Sequence, residues 1–280
     1  MRKDKNLKIF IKYLIERSKE DEIVSLSAQL AYFLLLSIFP SIIFGITLLG
    51  QLPISSNDIL NLLYNISYIV PRDTYVLIEN MILSVFNTRR GENVLSISII
   101  MSLWSASNGM KAIIRSLNKA YNIKEDRGFL YSRLISIFLV FAVVTAIIIA
   151  LILSVFGNLI GNFMYLYFHL EASFLQFWDI TRYGISILLL FVLFILLYCI
   201  APNKKLRCKE VYIGTIFAVV GWIMVSSLFS YYVDHFGNYS AIYGRIGGII
   251  VLMIWLYFSS MILILGGEIN AILECFRKNK

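Results

Sequence analysis

Long stretches without Asp, Glu, Lys or Arg divide the sequence into apolar segments. These uncharged runs cover residues 23–57, 93–110, 134–170, 183–203, 211–233 and 246–267. A helix that crosses a hydrocarbon core of about 30 Å needs roughly 20 apolar residues, so each run is long enough, or nearly so, for one crossing. The pattern predicts six transmembrane helices, at about 28–50, 94–114, 132–156, 181–201, 211–233 and 243–268.

The composition agrees with a membrane protein. Hydrophobic residues make up 59% of the 280 residues and charged residues 15%, whereas soluble domains have about 45–50% and about 25%. This much apolar surface excludes disorder and argues against a soluble globular fold. The runs do not alternate apolar and polar positions as the strands of a membrane barrel do. The predicted fold class is therefore all-α, with residues 1–280 forming a single polytopic membrane domain.

Two shorter amphipathic patterns lie outside the predicted spans. In residues 1–24, Leu7, Phe10, Ile11 and Leu14 share one helical face and most lysines lie elsewhere. This pattern predicts a cytoplasmic amphipathic helix that lies on anionic lipid. Between the first two spans, apolar residues recur at helical spacing on both sides of Pro71, which predicts two short external helices. Whether these helices form a cap or lie in the membrane interface stays open.

The cationic residues predict the orientation of the spans. The net charge is +8, and 20 of the 25 Lys and Arg residues lie in the N-terminal segment, the 111–133 connection, the 204–209 loop and the C-terminal tail. Because cytoplasmic loops carry the excess of Lys and Arg, both termini are predicted to be cytoplasmic. Cys199, Cys208 and Cys275 fall on the same predicted side, where thiols stay reduced, so no disulfide is expected.

The most informative polar residues lie at the cytoplasmic end of the second predicted span. Trp104, Asn108, Lys111, Arg115 and Asn118 follow one another at intervals of four, three, four and three positions, so a helix places them in one stripe. Such a stripe suits an anionic head group or a carboxylate, because Arg offers a fork of donors. Alternatively, the two cations only satisfy the positive-inside rule and extend to the interface. Trp104 and Asn108 favour binding, because the positive-inside rule accounts for cations but not for a Trp or an Asn.

Glu268 is a second candidate for chemistry. It ends the uncharged run of the last predicted span, where a negative charge near a helix C-terminus opposes the helix dipole. Glu268 therefore needs a cationic partner or a helix that continues well past it. Lys111, Arg115 and Gln29 are expected at the same membrane depth. We predict a polar cluster of Gln29, Lys111, Arg115 and Glu268, as either a structural ion pair or a transport site.

Small residues predict where helices pack closely, since they let two backbones approach one another. Two pairs match the G-x-x-x-G spacing, and a third set forms one helical stripe; helix contact is a more frequent role for such residues than ligand binding. The residues are Gly157, Gly161, Gly214, Ala218, Gly221, Gly244 and Gly248. Within the first predicted span, Pro40 predicts a kink, because proline removes a helical hydrogen bond.

Sequence signatures of catalysis are missing. His169 and His235 are the only histidines, and no Cys, His or Asp cluster accompanies either of them, so no metal-ligand set is predicted. There is no phosphate-binding loop and no evident pair of nucleophile and base. We therefore expect no cofactor and no metal. The basic charge is explained by topology, so no nucleic-acid partner is expected.

Four stretches together resemble the YihY/BrkB family of bacterial inner-membrane proteins. They are residues 28–40 (AQLAYFLLLSIFP), 104–121 (from WSAS to NKAY), 201–203 (APN) and 243–270 (from YG through WLY to GEIN). The resemblance implies six spans with cytoplasmic termini in the bacterial inner membrane. Members carry a ribonuclease BN label or a serum-resistance or virulence label, and some are linked to lipid or lipopolysaccharide export. Asn108 stands where many members are expected to have Arg, and Ile213 where Pro often precedes Gly214.

Three classes of function are compatible with these patterns. The first is a transporter or translocase of a lipid or another anionic amphiphile, which binds at the polar and basic site on the cytoplasmic side. The second is a structural or regulatory membrane protein without transport activity. The third, a membrane-bound ribonuclease, is least supported because carboxylate and histidine clusters are absent. The expected partner is the lipid bilayer with its anionic lipids, and a homo-oligomer stays open.

Overall fold

The computed structural model describes residues 2–51, 60, 61, 64, 79, 80, 83, 92–167, 173–236 and 247–278. Within this part of the chain the protein is all-helical and contains no strand. The long helices are α1 (Arg2–Glu20), α2 (Ile23–Gln51), α3 (Glu92–Ala120), α4 (Phe129–Tyr167), α5 (Ser173–Ile200), α6 (Cys208–Phe236) and α7 (Gly247–Lys278).

The predicted spans coincide with helices α2 to α7, and the all-helical fold is confirmed. Four segments are long and apolar enough to cross a membrane, namely Phe129–Ala150, Gln176–Ile200, Cys208–Val233 and Gly247–Arg277. A fifth arises if the bent pair Lys8–Glu20 and Ile23–Ile38 is counted as one span. Helix α3 is not among these segments and carries polar and charged side chains along its second half. The described chain therefore has four or five candidate spans, and the number six and the orientation stay predictions.

Large apolar side chains on the spanning segments face outwards rather than into the protein. Examples are Leu134 on α4, Leu188 on α5 and Leu228 on α6, whose exposed fractions are 55%, 59% and 63%. A soluble protein rarely exposes a contiguous apolar surface of this extent. The outward-facing side chains therefore fit contact with lipid.

A sharp turn separates α1 from α2. Glu22 adopts a left-handed backbone conformation with φ of 52°, and its N–H donates to the carbonyl of Lys19 at 3.1 Å. The two helical segments consequently meet at a bend of 58°. The turn lets α1 pack against α7, where the ring of Tyr13 lies 5.8 Å from that of Phe276. The predicted N-terminal amphipathic helix is present, and its position on lipid stays a prediction.

The chain groups into two compact units, each built from separate parts of the sequence. The first contains Met1–Ser37, Ser107–Leu139 and Phe191–Lys280, and the second contains Ile38–Ala106 and Val140–Leu190. Helices α2, α3, α4 and α5 each contribute to both units. The single membrane domain expected from the sequence stays a prediction.

In the first unit, small residues bring α6 and α7 together as the sequence predicts. A Cβ at Gly214 would clash with the backbone carbonyl of Gly266 and would lie 2.5 Å from the Asn270 side chain. Further along α6, Ala218 is fully buried, and a Cβ at Gly221 would lie 3.1 Å from Ile262. The predicted stripe on α6 is thus a contact surface for α7.

In the second unit, the Gly157 and Gly161 pair of α4 receives side chains of α5. Trp178 donates its indole N–H to the carbonyl of Gly157 at 2.6 Å, and a Cβ at Gly161 would lie 2.5 Å from the same indole. Arg182 packs at 3.0 Å from the Cβ position of Gly157. The close packing expected at this pair is therefore present.

Three sequence predictions cannot be compared in full with the described residues. Gly244 and most of the external segment between the first two spans lie outside them, as does the side chain of Pro40, although α2 is helical through that position. At Gly248 a Cβ would meet nothing within 4 Å. In the described part of the chain, that position therefore makes no close helix contact.

Candidate functional site

Three cations meet where α3 and α4 come together in the first unit. Lys111 and Arg115 lie one turn apart on α3, and Arg133 lies just over one turn into α4. Arg133 is 3% exposed. Its guanidinium donates to the Ser107 hydroxyl at 2.5 Å and to the Asn108 side-chain carbonyl at 2.9 Å. These hydrogen bonds hold the guanidinium against α3. We call Lys111, Arg115 and Arg133 the basic cluster.

The positive charges of the basic cluster act on one another. Arg133 and Arg115 both exert a repulsive electrostatic effect on Lys111. The Lys111 ammonium lies 4.6 Å from the ring centroid of Phe129, a cation–π contact that holds the side chain without neutralising it. Within the described part of the chain, neither Lys111 nor Arg115 forms an ion pair with a carboxylate. An anion that binds here would relieve this repulsion.

Exposed apolar side chains surround the basic cluster. Phe129, Leu130, Tyr131 and Leu134 begin α4, and their exposed fractions are between 55% and 71%. At the start of this helix, the Gly128 carbonyl accepts the N–H of Ser132 at 3.0 Å. The N-terminus of a long helix also carries a partial positive charge. Cations, a helix N-terminus and an apolar surface together suit a ligand with an anionic head and an apolar tail.

The predicted stripe on α3 divides among different environments. Asn108 and Lys111 contact α4, Arg115 is exposed, and Asn118 is buried near the end of the helix. Trp104 is half exposed and belongs to the second unit. Asn108, Lys111 and Arg115 of the stripe therefore lie at this site, whereas Trp104 and Asn118 at its two ends lie in other surroundings. The proposed binding role of all five stays a prediction.

The stripe also omitted Arg133, which supplies the hydrogen bonds between the helices. A signal for it was present, because Arg133 lies just inside the predicted span 132–156. A charge inside a span is costly and marks a functional or paired residue. Arg133 also contributes to the cytoplasmic charge excess, and that contribution alone does not reveal its contact with α3.

Glu268 has a cationic partner that sequence reasoning did not assign. Its side chain is 0% exposed, and its Oε2 lies 3.3 Å from Nε of Arg17 on α1. Neither carboxylate oxygen accepts a hydrogen bond within the described residues, so the contact is an ion pair without hydrogen-bond geometry. The sequence predicts Lys111 or Arg115 as the counter-charge, but Glu268 pairs with Arg17 instead. Gln29, the remaining member of the predicted cluster, is exposed on α2.

Arg17 is held in place by two further contacts. Its guanidinium donates to the Ala120 carbonyl at 2.7 Å and lies 3.7 Å from the Asp21 carboxylate. Arg17 follows Phe10 and Leu14 at intervals of seven and three positions, so it belongs to the apolar face of α1. A cation on that face was the sequence signal for a buried partner.

A cavity of about 480 Å³ opens beside the Arg17 side chain. Tyr121 lines it and is 8% exposed, and its hydroxyl has no hydrogen-bond partner within the described residues. Burial raises the pKa of the Tyr121 phenol, and the negative charge of Glu274 raises it further. Glu274 in turn accepts a hydrogen bond from the Lys204 ammonium at 2.6 Å. The other lining residues are Tyr13, Arg17, Glu20, Asp21, Asn122, Ala271 and Cys275.

Asn118 serves the loop between α5 and α6 instead of a ligand. Its side-chain carbonyl accepts the backbone N–H of Asn203 at 2.7 Å, and its amide donates to Glu125 at 2.7 Å. Arg127 donates to the carbonyls of Ile200, Ala201 and Pro202 at the end of α5. The short APN motif is thus tied to the α3–α4 connection by both residues.

No group of three or more His, Cys, Asp or Glu residues that could hold a metal ion occurs in the described part of the chain. The three cysteines are free thiols. Lys111 and Arg115 thus form no ion pair in this part of the chain, whereas Arg17 and Glu268 form a separate buried ion pair.

The helices and their apolar surfaces define an integral membrane protein. Residues 14–280 match the family described as Virulence factor BrkB, and the chain belongs to this family. It is 50% identical to the ribonuclease-like protein YfkH of Bacillus subtilis, over 96% of each chain. It is 28% identical to a UPF0761 membrane protein of Tolumonas auensis, over 97% of this chain and 87% of that one. A UPF0761 membrane protein of Alteromonas mediterranea is 26% identical over 95% and 88%. No solved structure matches the chain.

Proposed function

We propose that the protein binds an anionic amphiphile at the basic cluster and moves it out of the cytoplasmic leaflet. The observation that carries the proposal is the group of Lys111, Arg115 and Arg133 beside the exposed apolar start of α4. A phosphate head group would accept hydrogen bonds from Lys111 and Arg115, and the acyl chains of the lipid would lie along the outer surface of α4. A free anion would use only the first of these contacts.

The proposal includes a topology in which α2 to α7 cross the inner membrane and both termini are cytoplasmic. The positive-inside distribution supports this topology. With this topology the basic cluster would lie at the cytoplasmic interface, where anionic lipid head groups are found. Helix α1 supports the same location. Ile11 and Ile15 are half exposed and form a shallow groove with Lys8, Lys12, Glu16 and Lys19. The excess of positive charge in this groove suits the surface of an anionic leaflet.

A structural or regulatory role is the second candidate, favoured by the ion pair between Arg17 and Glu268. That pair and the contacts of Asn118 and Arg127 join helices and loops without leaving a charge for a ligand. In this alternative, the whole polar region would lock the helices together. Removing the side chains of Lys111 and Arg115 would then leave lipid movement unchanged.

The decisive experiment follows the movement of a labelled lipid in proteoliposomes. Fluorescent phosphatidylglycerol and fluorescent phosphatidylcholine would be compared by dithionite quenching, with the wild type, the K111A/R115A double variant and the K124A/K205A control. The control removes two exposed cations outside the basic cluster. We expect the double variant to slow phosphatidylglycerol movement about tenfold, as a loss of about 1.4 kcal/mol of binding free energy implies. Equal rates for all three proteins would contradict the proposal.

The ribonuclease-like name of the Bacillus relative suggests a further activity to measure on the same preparations. RNA cleavage by the purified wild type, with a dependence on an added divalent metal, would favour that activity over lipid movement. Lipid movement without RNA cleavage would favour the proposal made here.

A further inference from the structure

Two thiols face each other across the loop between α5 and α6. Cys199 lies in the last turn of α5, and Cys208 is the first residue of α6. Their Sγ atoms are 3.2 Å apart, and both cysteines are free. A disulfide bond is about 2.05 Å long, so the sulfur atoms need to approach by only about 1.2 Å to become bonded.

The short separation favours sulfur–sulfur bonding over a metal site. Zinc binds thiolates at about 2.3 Å, and its tetrahedral geometry separates two such sulfurs by about 3.8 Å. The observed 3.2 Å is shorter than that separation. No third metal-ligating side chain joins the pair within the described residues. A soft metal would therefore have to push the thiols apart and find further ligands.

The two cysteines differ in exposure, so they are expected to react in different steps of the oxidation. Cys208 is exposed and Cys199 is partly buried, so an oxidant in solution reaches Cys208 first. A peroxide would convert the Cys208 thiol to a sulfenic acid, with reduction of the peroxide to water or an alcohol. The Cys199 thiol would then attack that sulfur, form the disulfide and release a second water molecule.

We propose that Cys199 and Cys208 form a redox-active pair that a peroxide closes to a disulfide and a dithiol reopens. The bond would close a ring around the loop 201–207. That loop contains Asn203, whose backbone N–H donates to Asn118 at 2.7 Å. Oxidation would therefore fix the loop beside α3, and the proposal is independent of the function proposed for the basic cluster.

Peptide mapping of the purified, detergent-solubilised protein tests the pair directly. The protein would be treated with hydrogen peroxide, alkylated with N-ethylmaleimide and digested, with C275S as the matched control. We expect a cross-linked peptide containing Cys199 and Cys208 in both proteins, lighter by two hydrogens than its components and lost after dithiothreitol. Cys275 should stay alkylated in the wild type.

A second variant separates the two steps. In C199S the sulfenic acid on Cys208 has no neighbouring thiol, so dimedone should label Cys208 more strongly than in the wild type. Equal dimedone labelling of Cys208 in the two proteins, with no cross-linked peptide in the wild type, would overturn the proposal. Alkylation of both thiols after oxidation would overturn it as well.

Discussion

Arg17 of α1 and Glu268 of α7 form a buried ion pair, with Nε of the arginine 3.3 Å from Oε2 of the glutamate. The carboxylate is completely shielded from solvent, whereas the arginine side chain is 21% exposed. Helix α7 continues to Lys278, so Glu268 lies well before the negative end of the helix dipole. Both conditions that allow a charge at this position, a cationic partner and a continuing helix, are therefore met.

Replacing Arg17 by alanine should destabilise the protein, because the buried Glu268 carboxylate would lose its nearest cationic partner. Loss of one partner of a buried pair costs about 3 kcal/mol or more. Thermal unfolding in detergent should show a lower midpoint for R17A, and most of the loss should be recovered in R17A/E268Q, where the charge is gone. K12A is the control, since the Lys12–Glu16 pair is exposed. An R17A midpoint equal to that of K12A would mean that the pair contributes no stability.

A methyl group at Gly214 should disrupt the contact between α6 and α7. Its Cβ would overlap the Gly266 carbonyl, and backbone atoms cannot move aside as a side chain can. Overpacking of this kind costs about 1–3 kcal/mol. G184A is the matched control because a Cβ at Gly184, inside α5, meets nothing within 4 Å. G184A should be neutral or slightly stabilising, since alanine favours a helix over glycine; equal midpoints for G214A and G184A would contradict the packing described here.

Two buried tyrosines should respond differently to loss of the hydroxyl. The Tyr198 hydroxyl donates to the Leu263 carbonyl at 2.8 Å, whereas the Tyr121 hydroxyl is buried without a hydrogen-bond partner in the described part of the chain. Y198F should lose about 1 kcal/mol of stability, and Y121F should lose none or gain about 1 kcal/mol. The thermal unfolding midpoints of the two variants measure this difference. A lower midpoint for Y121F than for Y198F would show that the Tyr121 hydroxyl has a partner after all.

The positions of the long helices follow from the sequence because charged residues are costly inside a membrane, so that each span appears as a long uncharged run. The close packing at Gly214 and at Gly157 also follows, since small residues at helical spacing have few other uses in a membrane. These features depend on local composition. They need no knowledge of which distant segments meet.

The partners of the charged residues depend on tertiary structure and were predicted less well. Arg17 reaches Glu268 because the chain turns at Glu22, which adopts a left-handed conformation. Glycine and asparagine are the residues that usually adopt this conformation, so a glutamate at this position does not predict the turn. Lys111 and Arg115 lie one turn apart on α3, but Asn118 on the same predicted stripe bonds to the loop at Asn203. A stripe on one helix shows which residues share a face. It does not show which residues of other helices or loops contact that face.

Retention of lipid by the purified protein is the most direct measure of head-group binding at the basic cluster. Native mass spectrometry would compare binding of phosphatidylglycerol and phosphatidylcholine to the wild type, to K111A/R115A and to the K124A/K205A control, with Arg133 left intact because it is buried. We predict preferential binding of phosphatidylglycerol by the wild type and the control, and about a tenfold loss of that preference in K111A/R115A. The same preference in all three proteins, or none in the wild type, would contradict an anionic head-group site at the basic cluster.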